Sequence, residues 1–273
     1  MSQSVSATAK VLVTRPAHRQ GELCQLLQSN DLQPVPFATI QVVARDSSHS
    51  DYGLLKQHIL DLDLFDVIIC ISANAAEIAG ELIEDYWPQL PLGINWIAIG
   101  RASARALEKY GIQAQIPTSG HDSEALLQLP RLQNLAAKKV LVLKGNSGRQ
   151  LLSETLCDRG AIITEAVFYD RLIATYTDQQ INNSLYNSGL SAILVTSGEA
   201  LCNLTTIARG SLQQFEHKSL LATPLIVPST RVANIASTQG YYRITVARAA
   251  DDQAMLAALL TVKGLEADNE KTH

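Results

Sequence analysis

Six short stretches carry residue types that could do chemistry. They are Thr14-Arg15-Pro16, Ser72-Ala73-Asn74, Gly100-Arg101-Ala102-Ser103, Lys144 to Arg149, Thr196-Ser197-Gly198 and Ser229-Thr230-Arg231. All are small, hydroxyl-bearing or basic. Backbone N–H groups freed at such turns, with a few Arg or Lys beside them, bind carboxylates or phosphates. N-capping is the competing explanation for Ser72, Ser103, Ser197 and Ser229 taken singly. Gly145-Asn-Ser-Gly148-Arg149 has the flavour of a phosphate loop, but it matches neither the Walker pattern nor G-x-G-x-x-G. No nucleophilic triad is readable. Cys24, Cys70, Cys157 and Cys202 form no C-x-x-C, and the six His show no metal-ligand spacing. No metal and no cofactor is therefore expected.

The elements that must position these turns are short apolar strands alternating with helices. Val11–Thr14, Phe65–Ile71, Trp96–Ile99, Lys139–Leu143, Ser191–Val195 and Leu225–Val227 read as strands buried on both faces of a parallel sheet. Leu32–Phe37, Ile112–Ile116, Ile162–Val167 and Arg243–Ala247 complete two sets of five. Helices follow, for example Gln20–Gln28, Ala102–Tyr110, Gln150–Arg159 and Asp252–Leu260. In a doubly wound sheet, ligands sit at the carboxyl ends of the strands, where all six stretches fall. Two further extended pieces, 39–43 and 168–173, each follow the second strand of a set.

The stretch from Trp96 to Asp122 occurs twice. A shift of 129 lays Gly100 on Ser229, Ala104 on Ala233, Gly111 on Gly240 and Asp122 on Asp251, and lays Val11-Leu-Val13 on Val140-Leu-Val142. Such regularity predicts two similar α/β units from an internal duplication, flavodoxin-like in strand order, with a site between them. If the two extended pieces pair, the chain crosses twice and one domain is discontinuous. Two consecutive domains fit the residues equally.

The 273 residues, 47% of them hydrophobic, suffice for two cores. A net charge of −4 argues against a nucleic-acid binder, which would carry a basic stripe. No apolar run reaches the roughly 20 residues of a membrane span. The opening MSQSVSATAK lacks the apolar core of a signal peptide, so a reduced, cytoplasmic protein is expected.

The chain resembles uroporphyrinogen-III synthases. The resemblance rests on Val11-Leu-Val-Thr-Arg-Pro16, on Asp66-Val-Ile-Ile-Cys-Ile-Ser-Ala-Asn74, on Ile97-Ala-Ile-Gly100 with Ser103-Ala104, and on Gly160 leading to Val167-Phe-Tyr169. It covers about residues 10–262. Ile71, Ser103 and Val232 stand where that family favours Thr.

The resemblance implies two flavodoxin-like, doubly wound parallel-sheet domains joined by a two-stranded ladder. It selects the discontinuous arrangement: residues 1–37 plus 174–262, residues 44–166, linkers 38–43 and 167–173, and a polar tail 263–273. It also implies a lyase that dehydrates and cyclises the linear tetrapyrrole hydroxymethylbilane to uroporphyrinogen III, inverting the last ring through a spiro intermediate. No cofactor is implied. A monomer is expected, touching neither nucleic acid nor membrane, with transient contact to the preceding pathway enzyme. Tyr169 matches the family's candidate acid for hydroxide departure, and the repeat places it at the mouth between the lobes. The substrate-binding candidates are Thr14, Arg15, Ser72, Asn74, Gly100, Arg101, Ser103, Lys144, Gly145, Arg149, Thr196, Ser197 and Ser229. A two-lobed binding or sensor module without catalysis, and a phosphosugar enzyme using the Gly145–Arg149 loop, are the alternatives.

Overall fold

The computed structural model describes residues 8–120, 122–148, 150–210 and 217–262. Its first elements are β1 (Lys10–Val13), α1 (Gly21–Gln28), β2 (Gln33–Pro36), β3 (Ile40–Ala44), α2 (Tyr52–Leu60), β4 (Val67–Cys70) and α3 (Ala73–Tyr86). Next come β5 (Asn95–Ala98), α4 (Arg101–Glu108), α5 (Ser123–Leu127), β6 (Lys139–Gly145), α6 (Leu151–Asp158) and β7 (Ile162–Ile173). Then follow α7 (Asp178–Ile181), extended by a π-helical turn, β8 (Leu190–Leu194), α8 (Gly198–Gly210) and α9 (His217–Ala222). The chain closes with β9 (Leu225–Val227), α10 (Thr230–Gln239), β10 (Ile244–Val246) and α11 (Asp252–Leu260). The described residues divide into two compact units: those up to Gln41 and from Leu172 onward, and Val42–Arg171.

The first unit holds a sheet ordered β10-β9-β8-β1-β2, all of its pairings parallel. Counted along the chain, that is the order 2-1-3-4-5. Alternate residues of the same strands serve opposite faces, as the two-residue period of a strand requires. Leu12, Ile193 and Val227 pack with α8 and α10, while Val11, Leu194 and Ile226 pack with α1 and α11.

The second unit holds β7-β6-β4-β5, also parallel, with β3 on the outer edge beside β7. A single parallel bridge, Ile97 to Gln115, lies outside the named strands. Counted from β6, this unit too runs 2-1-3-4, with Gln115 in fifth place. Ile68, Leu141 and Leu143 pack under α3 and α4; Ile69, Val140 and Val142 pack under α5 and α6.

Two expectations need correction. Ile112–Ile116 is not a strand but contributes only the bridge at Gln115. Ile162–Val167 and Phe168–Ile173 are one twelve-residue strand, flanked by β6 as far as Tyr169 and by β3 on its other side. Along β3 and β7, Arg45 N–H donates to Phe168 O, and Ala174 N–H donates to Thr39 O. Residue numbers rise on one side and fall on the other, which makes that pairing antiparallel.

Matching turns recur at matching places. β1 and β6 both open Lys-Val-Leu-Val. Asp122 and Asp251 cap α5 and α11, each accepting an N–H from three residues on. Gly111 and Gly240 follow α4 and α10 in the left-handed region, with φ of 73° and 100°. The cysteines Cys24, Cys70, Cys157 and Cys202 are free thiols. No helix among the described residues is long and apolar enough to cross a membrane.

Candidate active site

In the second unit, the carboxyl ends of β4, β6 and β7 bring three of the expected residues together. Ser72 follows β4 at the N-cap of α3, Gly145 closes β6, and Tyr169 lies opposite Gly145 in β7. The Tyr169 hydroxyl is 2.8 Å from Ser72 Oγ. Register shifts here: Lys144 pairs with Val167, but Gly145 pairs with Tyr169, leaving Phe168 as an extra residue. In a regular strand Phe168 and Tyr169 would face opposite ways. The bulge turns both inward, and both are buried.

Tyr169 is therefore not at an open mouth. It is 5% exposed and packs in the core under α3 and α4. The space for its ring exists because residue 145 has no side chain. A Cβ there would stand 2.5 Å from Tyr169 Cζ and 2.8 Å from its hydroxyl oxygen. Next to it, Asn146 N–H donates to Tyr169 O, and Asn146 Oδ1 accepts the Arg171 N–H. Beneath Ser72 the fully buried Cys70 thiol donates to Ser72 O, and burial pushes its pKa up to about 12.

Gly100 caps α4 with extended backbone, φ −175°, so its presence there is not a demand for left-handed geometry. Arg101 begins α4 exposed and makes no ion pair among those described; Ser103 is buried on the same helix. Asn74 is half-buried in the first turn of α3.

Lys144 is already paired within its sheet. Its ammonium pairs with Glu165 at 3.0 Å, and Ser153 Oγ also donates to that carboxylate. Burial of Glu165 opposes ionisation, but these two hydrogen bonds and the Lys144 charge together outweigh it and hold the carboxyl below its usual range. Glu165 lies on β7 two residues before Val167, the register partner of Lys144, so the pair is set by strand register. The sequence offered no means of seeing it. Arg149, like His121, lies outside the described residues.

In the first unit, Thr14 and Arg15 are both engaged by partners within the unit. Thr14 is fully buried, and its hydroxyl donates to Leu194 O at 2.9 Å. Its own carbonyl accepts from Thr39 Oγ1. Arg15 reaches Asp252 at 2.5 Å and donates to Ala250 O at 3.2 Å, tying the β1 turn to the start of α11. It is an internal ion pair, not a free anchor. Ser197 caps α8 through the Ala200 N–H, whereas Ser229 sits at the N-cap of α10 without a side-chain bond. Thr196 is half-buried beside Ser197. Arg231, exposed on α10, lies over Gly198: a Cβ there would stand 3.5 Å from its Nη1.

The second unit also has a groove of about 720 Å³ along Gln115, Thr118, Ser119 and Gln128. No cation lines it. Among the described residues no cluster of His, Cys, Asp or Glu could hold a metal.

Comparison with known proteins gives this edge its context. The family model described as Uroporphyrinogen-III synthase HemD matches residues 21–257. A uroporphyrinogen-III synthase of Salmonella typhimurium is 33% identical over 250 residues, 91% of this chain and 99% of that protein. That of Escherichia coli is 33% identical over 253 residues, with the same coverage. Among solved structures, a mutant uroporphyrinogen III synthase from Thermus thermophilus aligns with a TM-score of 0.58 at 14% identity, covering 92% of this chain and 97% of that one. The synthetase of Helicobacter pylori aligns at 0.56 and 15%, covering 93% and 99%. These last two speak for the fold alone. With one family model and two near-full-length relatives in agreement, the chain belongs to the uroporphyrinogen-III synthase family.

Proposed function

We infer that this chain is a uroporphyrinogen-III synthase, a lyase of porphyrin and haem biosynthesis. It dehydrates and cyclises hydroxymethylbilane to uroporphyrinogen III with inversion of the terminal pyrrole. The observation that carries this reading is the one-third identity to enzymes of that name over nine-tenths of the chain. A binding or sensor module without catalysis is not favoured by these matches.

The chemical problem is control of conformation. Loss of hydroxide leaves a reactive azafulvene, which closes without inversion when free. Holding the chain so that the substituted carbon attacks is worth several orders of magnitude. Tyr169 supplies the proton to the departing hydroxide, since a phenol O–H is a hydrogen-bond and proton donor. Arg101, Asn74, Gly100, Ser103, Thr196, Ser197 and Ser229 are the proposed contacts of the substrate's carboxylates, through side chains or turn amides. Ser72, Gly145 and Tyr169 form the reacting edge. Arg149 remains a proposed anchor from its place in the sequence.

An internal duplication underlies the two units; the shared 2-1-3-4-5 count, the paired Asp caps and the paired glycines support it. Domains of 1–37 plus 174–262 and of 44–166, with linkers 38–43 and 167–173, follow from that reading. The protein is proposed to act as a cytoplasmic monomer without cofactor, in transient contact with the preceding enzyme of the pathway.

The test is incubation with enzymatically made hydroxymethylbilane and chromatographic separation of isomers I and III. Isomer III is expected. Tyr169→Phe should slow turnover about 100-fold, the low end for loss of a general acid, with isomer III still dominant. An unchanged rate would reduce Tyr169 to a packing residue.

A further inference from the structure

We propose that Ser72 acts on Tyr169 and not on the substrate: it positions the phenol, in a slot that Gly145 keeps open. This rests on the reading of Tyr169 as the proton donor.

Serine at an N-cap ordinarily spends its hydroxyl on an amide of the first turn. Ser72 has N-cap geometry, φ −154° and ψ 136°, and its carbonyl accepts the Ala76 N–H. Its hydroxyl makes no capping bond. It is turned instead to Tyr169, 2.8 Å away. The ring is held by backbone as well. The bulge at Gly145 sets its direction, and the Asn146 N–H to Tyr169 O bond fixes the residue itself. Any side chain at 145 would occupy the place of the ring.

A serine hydroxyl can donate while a phenol has one proton to give. When Ser72 donates to the Tyr169 oxygen, the phenol proton is left for a substrate oxygen. The step balances as follows. The C–O bond of the hydroxymethyl group breaks with its electron pair going to oxygen, which takes the Tyr169 proton and leaves as water. A phenolate and an azafulvenium cation remain. The substituted carbon of the terminal pyrrole, which carries no proton, attacks the azafulvenium and gives the spiro intermediate. Its older bond to the bridging carbon then breaks, which inverts the ring and regenerates an azafulvenium. The free α-carbon of the inverted ring closes on this, and the proton lost from that α-carbon restores the phenol. Ser72 keeps its own proton throughout. It supplies a pre-aligned donor to the phenolate, the kind of fixed dipole that lowers a barrier without reorganisation.

Steady-state kinetics on hydroxymethylbilane with Ser72→Ala, Ser72→Thr, Tyr169→Phe and the Ser72→Ala/Tyr169→Phe double variant test this. Ser72→Ala should lower kcat about two- to tenfold, the worth of one hydrogen bond, with KM unchanged. Ser72→Thr should restore most of the rate. The double variant should be no slower than Tyr169→Phe alone. Gly145→Ala should lower kcat at least as far as Ser72→Ala, with circular dichroism reporting whether it folds. A raised KM at unchanged kcat for Ser72→Ala would mean that Ser72 touches substrate, and would overturn the proposal. So would losses that multiply in the double variant. Tyr169→Phe at the wild-type rate would instead remove the acid itself, and Ser72's role with it.

Discussion

Arg15 is the residue whose surroundings change its meaning most. As a cation in a strand-to-helix turn it suggests a substrate anchor, and it instead meets Asp252 at 2.5 Å with both side chains largely buried. A pair like this ties two elements, β1 and α11, that are far apart in sequence. Arg15→Ala should therefore lower the free energy of unfolding by about 1.5–3 kcal/mol, the range for hydrogen bonds to charged groups. A double-mutant cycle with Asp252→Ala, followed by urea denaturation, should return a coupling of about 1 kcal/mol. KM for hydroxymethylbilane should stay within about twofold. A raised KM with intact stability would return Arg15 to the substrate.

At the scale of elements, the end of β3 is locked to β7 by charge. Arg45 Nε and Nη2 both donate to the Asp170 carboxylate, and Nη1 reaches Asp51 at 2.6 Å. His49 Nε2 lies 3.6 Å from the same Asp170. The hydrogen bonds from Arg45 hold the Asp170 carboxyl below its ordinary range. A lowered carboxylate pKa stabilises the fold above the unfolded value, about 4, and that contribution is lost as pH falls through the lower folded value. Asp170→Asn should cost about 1 kcal/mol or less at pH 7. Urea midpoints of wild type and variant should converge as pH falls from about 4 through the lowered folded value. A constant gap across that range would assign the loss to packing. Helix ends make a second element-scale prediction. Gly240 caps α10, and Gly111 closes the turn that follows α4, both with positive φ, where a Cβ is strained. Alanine at either should cost about 1 kcal/mol. Gly240→Ala should cost the more, because its Cβ would also stand 3.3 Å from Leu221 Cδ1, while nothing lies within 4 Å at Gly111. Thermal melts of the two variants, side by side, measure the difference.

For the whole molecule, the proposed reaction removes water and forms a carbon–carbon bond with no net change of oxidation state. It asks for proton transfer and conformational restraint, both within reach of side chains and backbone amides. Exhaustive dialysis against a chelator should leave the rate of isomer III formation unchanged. A loss of activity restored by a divalent ion would show that a metal belongs to the enzyme.

Strand and helix identities came from local pattern. Val11–Val13, Val67–Cys70 and Val140–Leu143 are apolar without alternation because both faces of a parallel sheet are covered, and that is readable from residue type alone. The matched positions were legible too: Asp122 with Asp251, and Gly111 with Gly240, are local turn and cap chemistry carried by residue type. The family, too, was legible in the order of short motifs. What only tertiary structure decided was register. The slip between Lys144 and Gly145 turned Tyr169 inward onto Ser72, and the offset of β6 against β7 gave Lys144 to Glu165. Folding also brought Arg15 to Asp252 and closed Leu194 O over Thr14. In each case the partners are distant along the chain. A register of one residue reverses which face a side chain takes, and no local preference encodes that choice.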